Sequence, residues 1–216
     1  MRTAASTYGI EVNSVLRNTY MLLAMTLVFA AITAFIGVHT VFTPAMYLGT
    51  VIGGFVLLFA TMAFRNSGWG LLTVFGFTGL EGFGLGPLLQ HYLRMPGGSA
   101  IVLTAAGMTA AVFVALSLYV LVSRRDFSFM GGMLFVSLIV LLLASLVGMF
   151  FPVPGLHLAL AVVSALVFSG YILYDTSRIV HGGETNYIMA TVSLFLNILN
   201  LLIALLRIAR SLSGGR

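Results

Sequence analysis

Residues 181–202 read "HGGETNYIMATVSLFLNILNLL", a polar, glycine-containing stretch that runs directly into a long apolar segment carrying two asparagines. Small and polar residues recur in this segment at spacings of three and four, which is the period of one helical face. They are Ala190, Ser193, Asn197, Asn200, Ala204 and Arg207. Amides facing lipid would lack hydrogen-bond partners, so the stripe predicts a last helix at the centre of a bundle, surrounded by the others. Asn197 and Asn200 then either hold helices together or contribute to a permeation path.

The composition is that of an integral membrane protein. The chain has 216 residues, of which 60% are hydrophobic and 7% charged, with a mean hydropathy of +1.13. A soluble domain carries about a quarter charged residues. Cysteine is absent, which excludes disulfides, thiolate metal sites and cysteine nucleophiles. The net charge of +5 indicates orientation in a membrane rather than nucleic-acid binding.

Seven apolar segments are long enough to cross a bilayer, which needs about 20 such residues per helix. The predicted spans are 19–38, 45–64, 68–90, 100–123, 127–151, 156–180 and 187–209. The sequence therefore predicts an all-α membrane protein of one domain. It comprises an N-terminal tail at 1–18, a seven-helix transmembrane domain at 19–210 and a C-terminal tail at 211–216.

The arginines predict which side of the membrane each connection occupies. With the N-terminus in the cytoplasm, the cytoplasmic segments hold Arg2, Arg17, Arg65, Arg124, Arg125 and Arg178. The outer loops then hold only Arg94, as the positive-inside rule requires. The arginines at 207, 210 and 216 argue against an outer C-terminus, so the last helix either tolerates them or re-enters and returns. We expect seven full crossings.

Two acids lie within the predicted spans. Glu81 is about 20 Å along the third helix, where an ionised carboxylate costs about 3 kcal/mol. It is either a cation or proton ligand, or a protonated or arginine-paired acid that locks two helices. Asp175 lies about two turns inside the cytoplasmic end of the sixth helix. It is either a structural partner of Arg178, Arg65 or Arg125, or a gate or proton site.

An enzymatic function has little support in the sequence. An intramembrane serine protease needs an activated serine and a histidine, and only Ser169 and His181 superficially qualify. They lack a glycine-serine signature, and His181 at the membrane boundary indicates a capping or interfacial role. His39, His91 and His157 lack the paired spacing of a zinc site. We expect no catalysis, no metal centre and no small-molecule substrate.

Four stretches together resemble the Bax inhibitor-1 family of seven-helix membrane proteins. They are "VLRNTYMLLAMTLVFAAITA" at 15–34, "FTGLEGFGLGPLL" at 77–89, "DFSFMGGML" at 126–134 and "HGGETNYIMATVSLF" at 181–195. The likeness is to the YccA-like bacterial branch and covers nearly the whole chain. It implies a central last helix, a bacterial inner-membrane location and modulation of the membrane-embedded AAA protease FtsH. With the seven crossings and the arginine pattern, the N-terminus is then expected in the cytoplasm and the C-terminus in the periplasm. The partners implied are that protease and the lipid bilayer. We expect the tail at 1–18 to be extended and polar, so that the protease can grip it.

The resemblance also implies an alternative function, a pH-sensitive calcium leak. Some family members are gated by two aspartates, one ending the sixth helix and one within the seventh. Asp175 matches the first, but Asn197 stands where the second would be, so two carboxylates cannot share one proton here. Arg65 matches an arginine that latches to the sixth-helix acid in leak-competent relatives. No cofactor is implied beyond weakly bound calcium.

Overall fold

The computed structural model describes the backbone of residues 2–151 and 155–213 and the side chains of residues 12–151 and 155–213. These residues form α-helices and one short 3₁₀ turn, and the described ranges contain no strand. The elements are α1 (Arg2–Val38), α2 (Pro44–Phe64), α3 (Gly68–Gly84), α4 (Gly86–Leu93), α5 (Gly98–Ser123), η1 (Ser128–Met130), α6 (Gly131–Phe150), α7 (Leu156–Val180) and α8 (Tyr187–Ser213).

Within the described residues, seven stretches are long and apolar enough to cross a membrane, as predicted. They are Val12–Val38, Pro44–Phe64, Gly68–Leu93, Gly98–Ser123, Ser128–Phe150, Leu156–Val180 and Tyr187–Ser213. The predicted ranges agree with them, except that the first and last helices extend further. The third stretch is two helices, α3 and α4, rather than one.

The third span is interrupted at Leu85, between α3 and α4. Pro87 lies in the first turn of α4 and has no backbone N–H, so the carbonyl of Phe83 receives no bond from it. The amide of Leu85 is shared instead between the carbonyls of residues 81 and 82, at 3.1 Å each. Proline is the ordinary cause of such a break in a helix.

The interruption lies where α1 crosses the third span at close range. A Cβ on Gly86 would overlap main-chain atoms of Gly37, and both glycines are buried. Beyond this crossing, the side-chain amide of Gln90 donates to the carbonyl of Val38 at 2.8 Å. Small residues on both helices therefore permit a backbone contact, and α4 satisfies a carbonyl at the end of α1.

The first compact unit contains residues 2–96 and 184–195. In it, α3 packs against both α1 and α2. Glycines of α3 make these contacts close: a Cβ on Gly79 would overlap the ring of Phe29, and one on Gly82 would overlap the backbone at Ala30. The glycine-rich third span is therefore an interior helix of this unit, as its composition predicts.

The second compact unit contains residues 97–183 and 196–213. Its helix α7 packs against α5 and α6. Buried apolar side chains from α6 and α7 form its core, namely Leu134, Leu141, Leu160 and Val167. The absence of a side chain at Gly170 admits Leu134, since a Cβ there would lie 2.8 Å from the leucine Cδ2.

The last helix, α8, contributes its first residues to one unit and the remainder to the other. In its most apolar window 61% of residues are buried, against 11–33% in the other six spans. Of the stripe, Ala190, Asn197 and Ala204 are buried, Ser193 and Asn200 are half-buried, and Arg207 near the end of the helix is exposed. Leu194 and Leu206 on the apolar faces are fully covered. The prediction of a central last helix is therefore confirmed.

The N-terminal tail is not extended, so that expectation is wrong. Helix α1 begins at Arg2 and continues without a break into the first span. Once a helix has nucleated, adding a residue costs little, and residues 1–18 contain no proline. At the other end, α8 reaches Ser213; Arg216 lies outside the described residues.

Candidate functional site

The structure brings together two of the predicted site residues, Asp175 on α7 and Asn197 on α8. The side-chain amide nitrogen of Asn197 donates to Oδ2 of Asp175 at 2.7 Å. Asn197 is buried and Asp175 half-buried. A hydrogen bond to an ionised carboxylate is stronger than one between neutral groups, so the amide partly replaces the water that Asp175 loses on burial.

Asn200, the second amide of the stripe, contacts its own helix. Its side-chain nitrogen donates to the carbonyl of Leu196 at 2.8 Å. Such a bond satisfies a polar side chain within a helix. The two asparagines predicted to act alike therefore have different roles in the described structure.

The structure gives contacts for two of the three arginines expected near Asp175, and the pairing of an arginine with this acid stays a prediction. The guanidinium of Arg178 lies 5.7 Å from the centre of the Tyr174 ring and donates to the carbonyl of residue 183 at 2.9 Å. The guanidinium of Arg125 donates to the hydroxyl of residue 119 at 3.2 Å. Arg65 belongs to the first unit and Asp175 to the second, so the latch between them stays a prediction.

Ser177 and His181, at the end of α7, hold the loop at 124–127 that connects α5 to η1. The amide of Phe127 donates to Oγ of Ser177 at 2.9 Å. Nε2 of His181 lies 3.1 Å from the carbonyl of Arg124, a residue in the left-handed region at φ +50°. His181 is the C-cap of α7, and the capping role predicted for it is confirmed.

Asp126 in this loop is held as a carboxylate. Its Oδ1 accepts from the amide of Ser128 at 2.8 Å and from the Ser177 hydroxyl at 3.4 Å. Hydrogen bonds from Ser128, chiefly, hold the pKa of Asp126 below its usual range. Since the folded-state pKa is lowered, these bonds stabilise the loop at neutral pH, and their contribution is lost only as the pH falls through that lowered value.

Asn186 was not among the predicted site residues, and its side chain makes four hydrogen bonds at the start of α8. Its Oδ1 accepts from the amides of Ile188 and Met189 at 3.0 Å each. Its Nδ2 donates to the carbonyl of Arg65 at 3.0 Å and to Oδ1 of Asn66 at 2.8 Å. The side-chain oxygen therefore caps α8, and the side-chain nitrogen bonds this end of the helix to the turn between α2 and α3. An asparagine directly before a long apolar run is a signal for a helix start.

Asn186→Ala should lower the free energy of unfolding by about 2 kcal/mol, because it removes a helix cap and leaves the turn at Asn66 without a donor. Thermal unfolding in detergent measures the loss. Asn186→Asp is the matched control: it keeps the acceptor of the cap and removes the donor, so its loss should be smaller. Equal losses for the two variants would show that the cap contributes nothing.

Glu81 lies at the interface between α3 and α2. A Cβ on Gly54 of α2 would lie 2.7 Å from Oε1 of Glu81, so the missing side chain makes room for the carboxyl group. Within the described residues, this carboxyl group has no hydrogen bond or ion pair. The structure thus provides no arginine partner for Glu81 among those residues.

Seven membrane-crossing helices, with the last one the most buried and a polar pair joining it to the helix before, define a helical multi-span membrane protein. The chain belongs to the Bax inhibitor-1 family, since the family model described as "Inhibitor of apoptosis-promoting Bax1" matches residues 12–214.

Several curated proteins are similar to this chain over nearly their whole length. An uncharacterised membrane protein of Vibrio cholerae is 48% identical over 96% of this chain and 93% of its own. An uncharacterised protein of Pseudomonas aeruginosa is 46% identical over 95% and 92%. A protein of Escherichia coli strain K12 named "Modulator of FtsH protease YccA" is 44% identical over 92% and 90%.

Proposed function

We propose that this protein modulates the membrane protease FtsH in the bacterial inner membrane. The observation that carries the proposal is the 44% identity, over 92% of the chain, to a protein named as a modulator of that protease. A relative of the same identity from another Escherichia coli strain is named an inner membrane protein. The seven apolar spans fit that location.

The first helix supports a mechanism for this function. Helix α1 begins at Arg2, while the long apolar run of the first span begins at residue 19, after Arg17 and Asn18, so residues 2–11 precede the membrane-crossing part. We infer that the protease engages this segment and then pulls against a bundle whose last helix is deeply buried. Resistance to extraction depends on the rate at which the bundle opens. The protein therefore occupies the protease without being degraded quickly.

Deletion of residues 2–11 tests this mechanism. Copurification with FtsH from native membranes should be lost and degradation of other FtsH substrates should no longer respond to the protein, because the engaged segment is gone and the spans are intact. A chain that carries the same ten residues in scrambled order is the matched control for length. If the protease recognises the sequence of the segment, this chain should also fail to copurify with FtsH. Undiminished copurification of the deleted chain would remove the segment from the mechanism.

The calcium leak implied by the family has weaker support in this chain. Leak-competent relatives are expected to carry two carboxylates, whereas here an amide donates to Asp175 in place of the second one. Calcium takes six to eight oxygen ligands, and the Asp175–Asn197 pair supplies few. Protease modulation is therefore the function we conclude.

A further inference from the structure

Glu81 and Gly54 form an unusual arrangement, which we call the Glu81 notch: a carboxyl group on α3 facing a buried glycine on α2. A Cβ on Gly54 would lie 2.7 Å from Oε1, and one on Gly53 would lie 2.7 Å from a methyl group of Leu80. Two adjacent glycines of α2 thus leave space for two adjacent side chains of α3, those of Leu80 and Glu81. The carboxyl group is placed in an interface between membrane-crossing helices.

Among the side chains that the structure describes in the first unit, none forms an ion pair with this carboxyl group. Helix α2 carries no acidic, basic or histidine residue. In the part of this unit whose side chains are described, the charged and imidazole groups on or beside α1, α2, α3 and α4 are Arg17, His39, Arg65, His91, Arg94 and Glu184. Arg65 follows Gly54 of α2 by eleven positions, or about 16 Å of helix. Ala30 is the residue of α1 that faces Gly82. Arg17 lies thirteen positions before Ala30, or about 20 Å away along the helix. His91 lies ten positions beyond Glu81, or about 15 Å of helix.

The other groups also lie at the ends of the helices. His39 bonds to the carbonyl of Phe35 at 2.9 Å, beyond the crossing of α1 with α4. Glu184 accepts from the amide of Asn186 at 2.9 Å, and Asn186 bonds to Asn66 in the turn before α3. Among the described residues of the first unit, the charged groups therefore lie toward the helix ends, away from the middle of α3. An ionised carboxylate in such an uncharged part of a membrane-spanning helix is strongly disfavoured.

We propose that the Glu81 notch is a proton-binding site inside the membrane. A metal ion would need several oxygen ligands, and the two residues of α2 that face Leu80 and Glu81 are glycines, which offer no side-chain oxygen. A proton needs only the carboxylate. This site does not depend on the protease function proposed above.

Labelling with a hydrophobic carbodiimide tests the site in the full-length protein reconstituted in vesicles. The protonated carboxyl group adds across one C=N bond of the reagent, with its proton passing to nitrogen. The adduct rearranges to a stable N-acylurea, and no atom leaves. Peptide mass spectrometry should find this product at Glu81 at neutral pH, at a level that falls as the buffer is made alkaline. Glu81→Gln should lack it, and calcium or potassium in the buffer should not protect.

Two glycine variants of the same helix test whether the notch holds the carboxyl group. Gly54→Ala puts a methyl group 2.7 Å from Oε1, too close for the carboxyl group to stay where it is, so labelling should change several-fold. Gly49→Ala is the matched control, because a Cβ there meets nothing within 4 Å, and it should label like the wild type. Three results would overturn the proposal: no product at Glu81 at any pH, protection by a cation, or equal labelling of all three glycine forms. Binding to FtsH plays no part in the assay, so failure here leaves the protease proposal untouched.

Discussion

Gly86→Ala should unfold at a markedly lower temperature than the wild-type protein. The Cβ of the alanine would overlap main-chain atoms of Gly37, and a backbone cannot rotate aside as a side chain can. Helices α1 and α4 would have to separate, which also strains the bond from Gln90 to the carbonyl of Val38. Overpacking typically costs 1–3 kcal/mol, and we expect about 3 kcal/mol here because the obstacle is backbone.

Gly49→Ala controls for the effect of adding a methyl group to an apolar helix. Gly49 is exposed and its added Cβ meets nothing within 4 Å, so thermal unfolding of this variant in detergent should match the wild type. Similar unfolding temperatures for the two variants would show that the crossing at Gly37 is looser than the structure indicates. If resistance to extraction protects the protein from FtsH, Gly86→Ala should also be degraded faster in cells.

The seven spans could be predicted from the sequence because each is a long apolar run bounded by proline, glycine or arginine. The break at Leu85 was not predicted, although Pro87 is visible in the sequence. Hydropathy measures the length of an apolar run and not the direction of its axis. Whether a proline kinks or ends a helix depends on its tertiary neighbours, and here the decisive neighbour is Gly37, about 50 residues away.

The candidate site shows the same division between local and long-range information. The burial of Asn197 followed from the helical period of the stripe and the need to satisfy a buried amide, whereas its pairing with Asp175 was implied only by the resemblance to the family. Neither source of information gave the partners of Asn186. Its cap is a local pattern, but its bonds to Arg65 and Asn66 cross 120 residues or more of sequence. Single-sequence reasoning identifies groups that need partners more readily than it identifies the partners.

Asn197→Asp should make the stability of the protein depend on pH. The amide nitrogen of Asn197 lies 2.7 Å from Oδ2 of Asp175, and the substitution replaces the donor with a second carboxylate at that distance. Two ionised carboxylates there would repel each other in a buried setting, and leaving such a charge without compensation costs about 3–5 kcal/mol. The folded pair therefore holds one shared proton and binds more protons than the unfolded chain. Its stability falls as the pH rises and recovers on acidification.

Asn197→Ala separates this effect from the loss of a hydrogen bond, because it removes the donor without adding a charge and should show no comparable pH dependence. Unfolding temperatures of the three proteins across a pH series measure the difference, and parallel curves for the two variants would contradict a carboxylate pair.

Calcium flux into vesicles completes the comparison. If Asn197→Asp passes calcium in a pH-dependent way and the wild type does not, the amide is what keeps this member of the family from leaking. Stability and flux then change at one position for one reason, the replacement of a hydrogen-bond donor by a second acid.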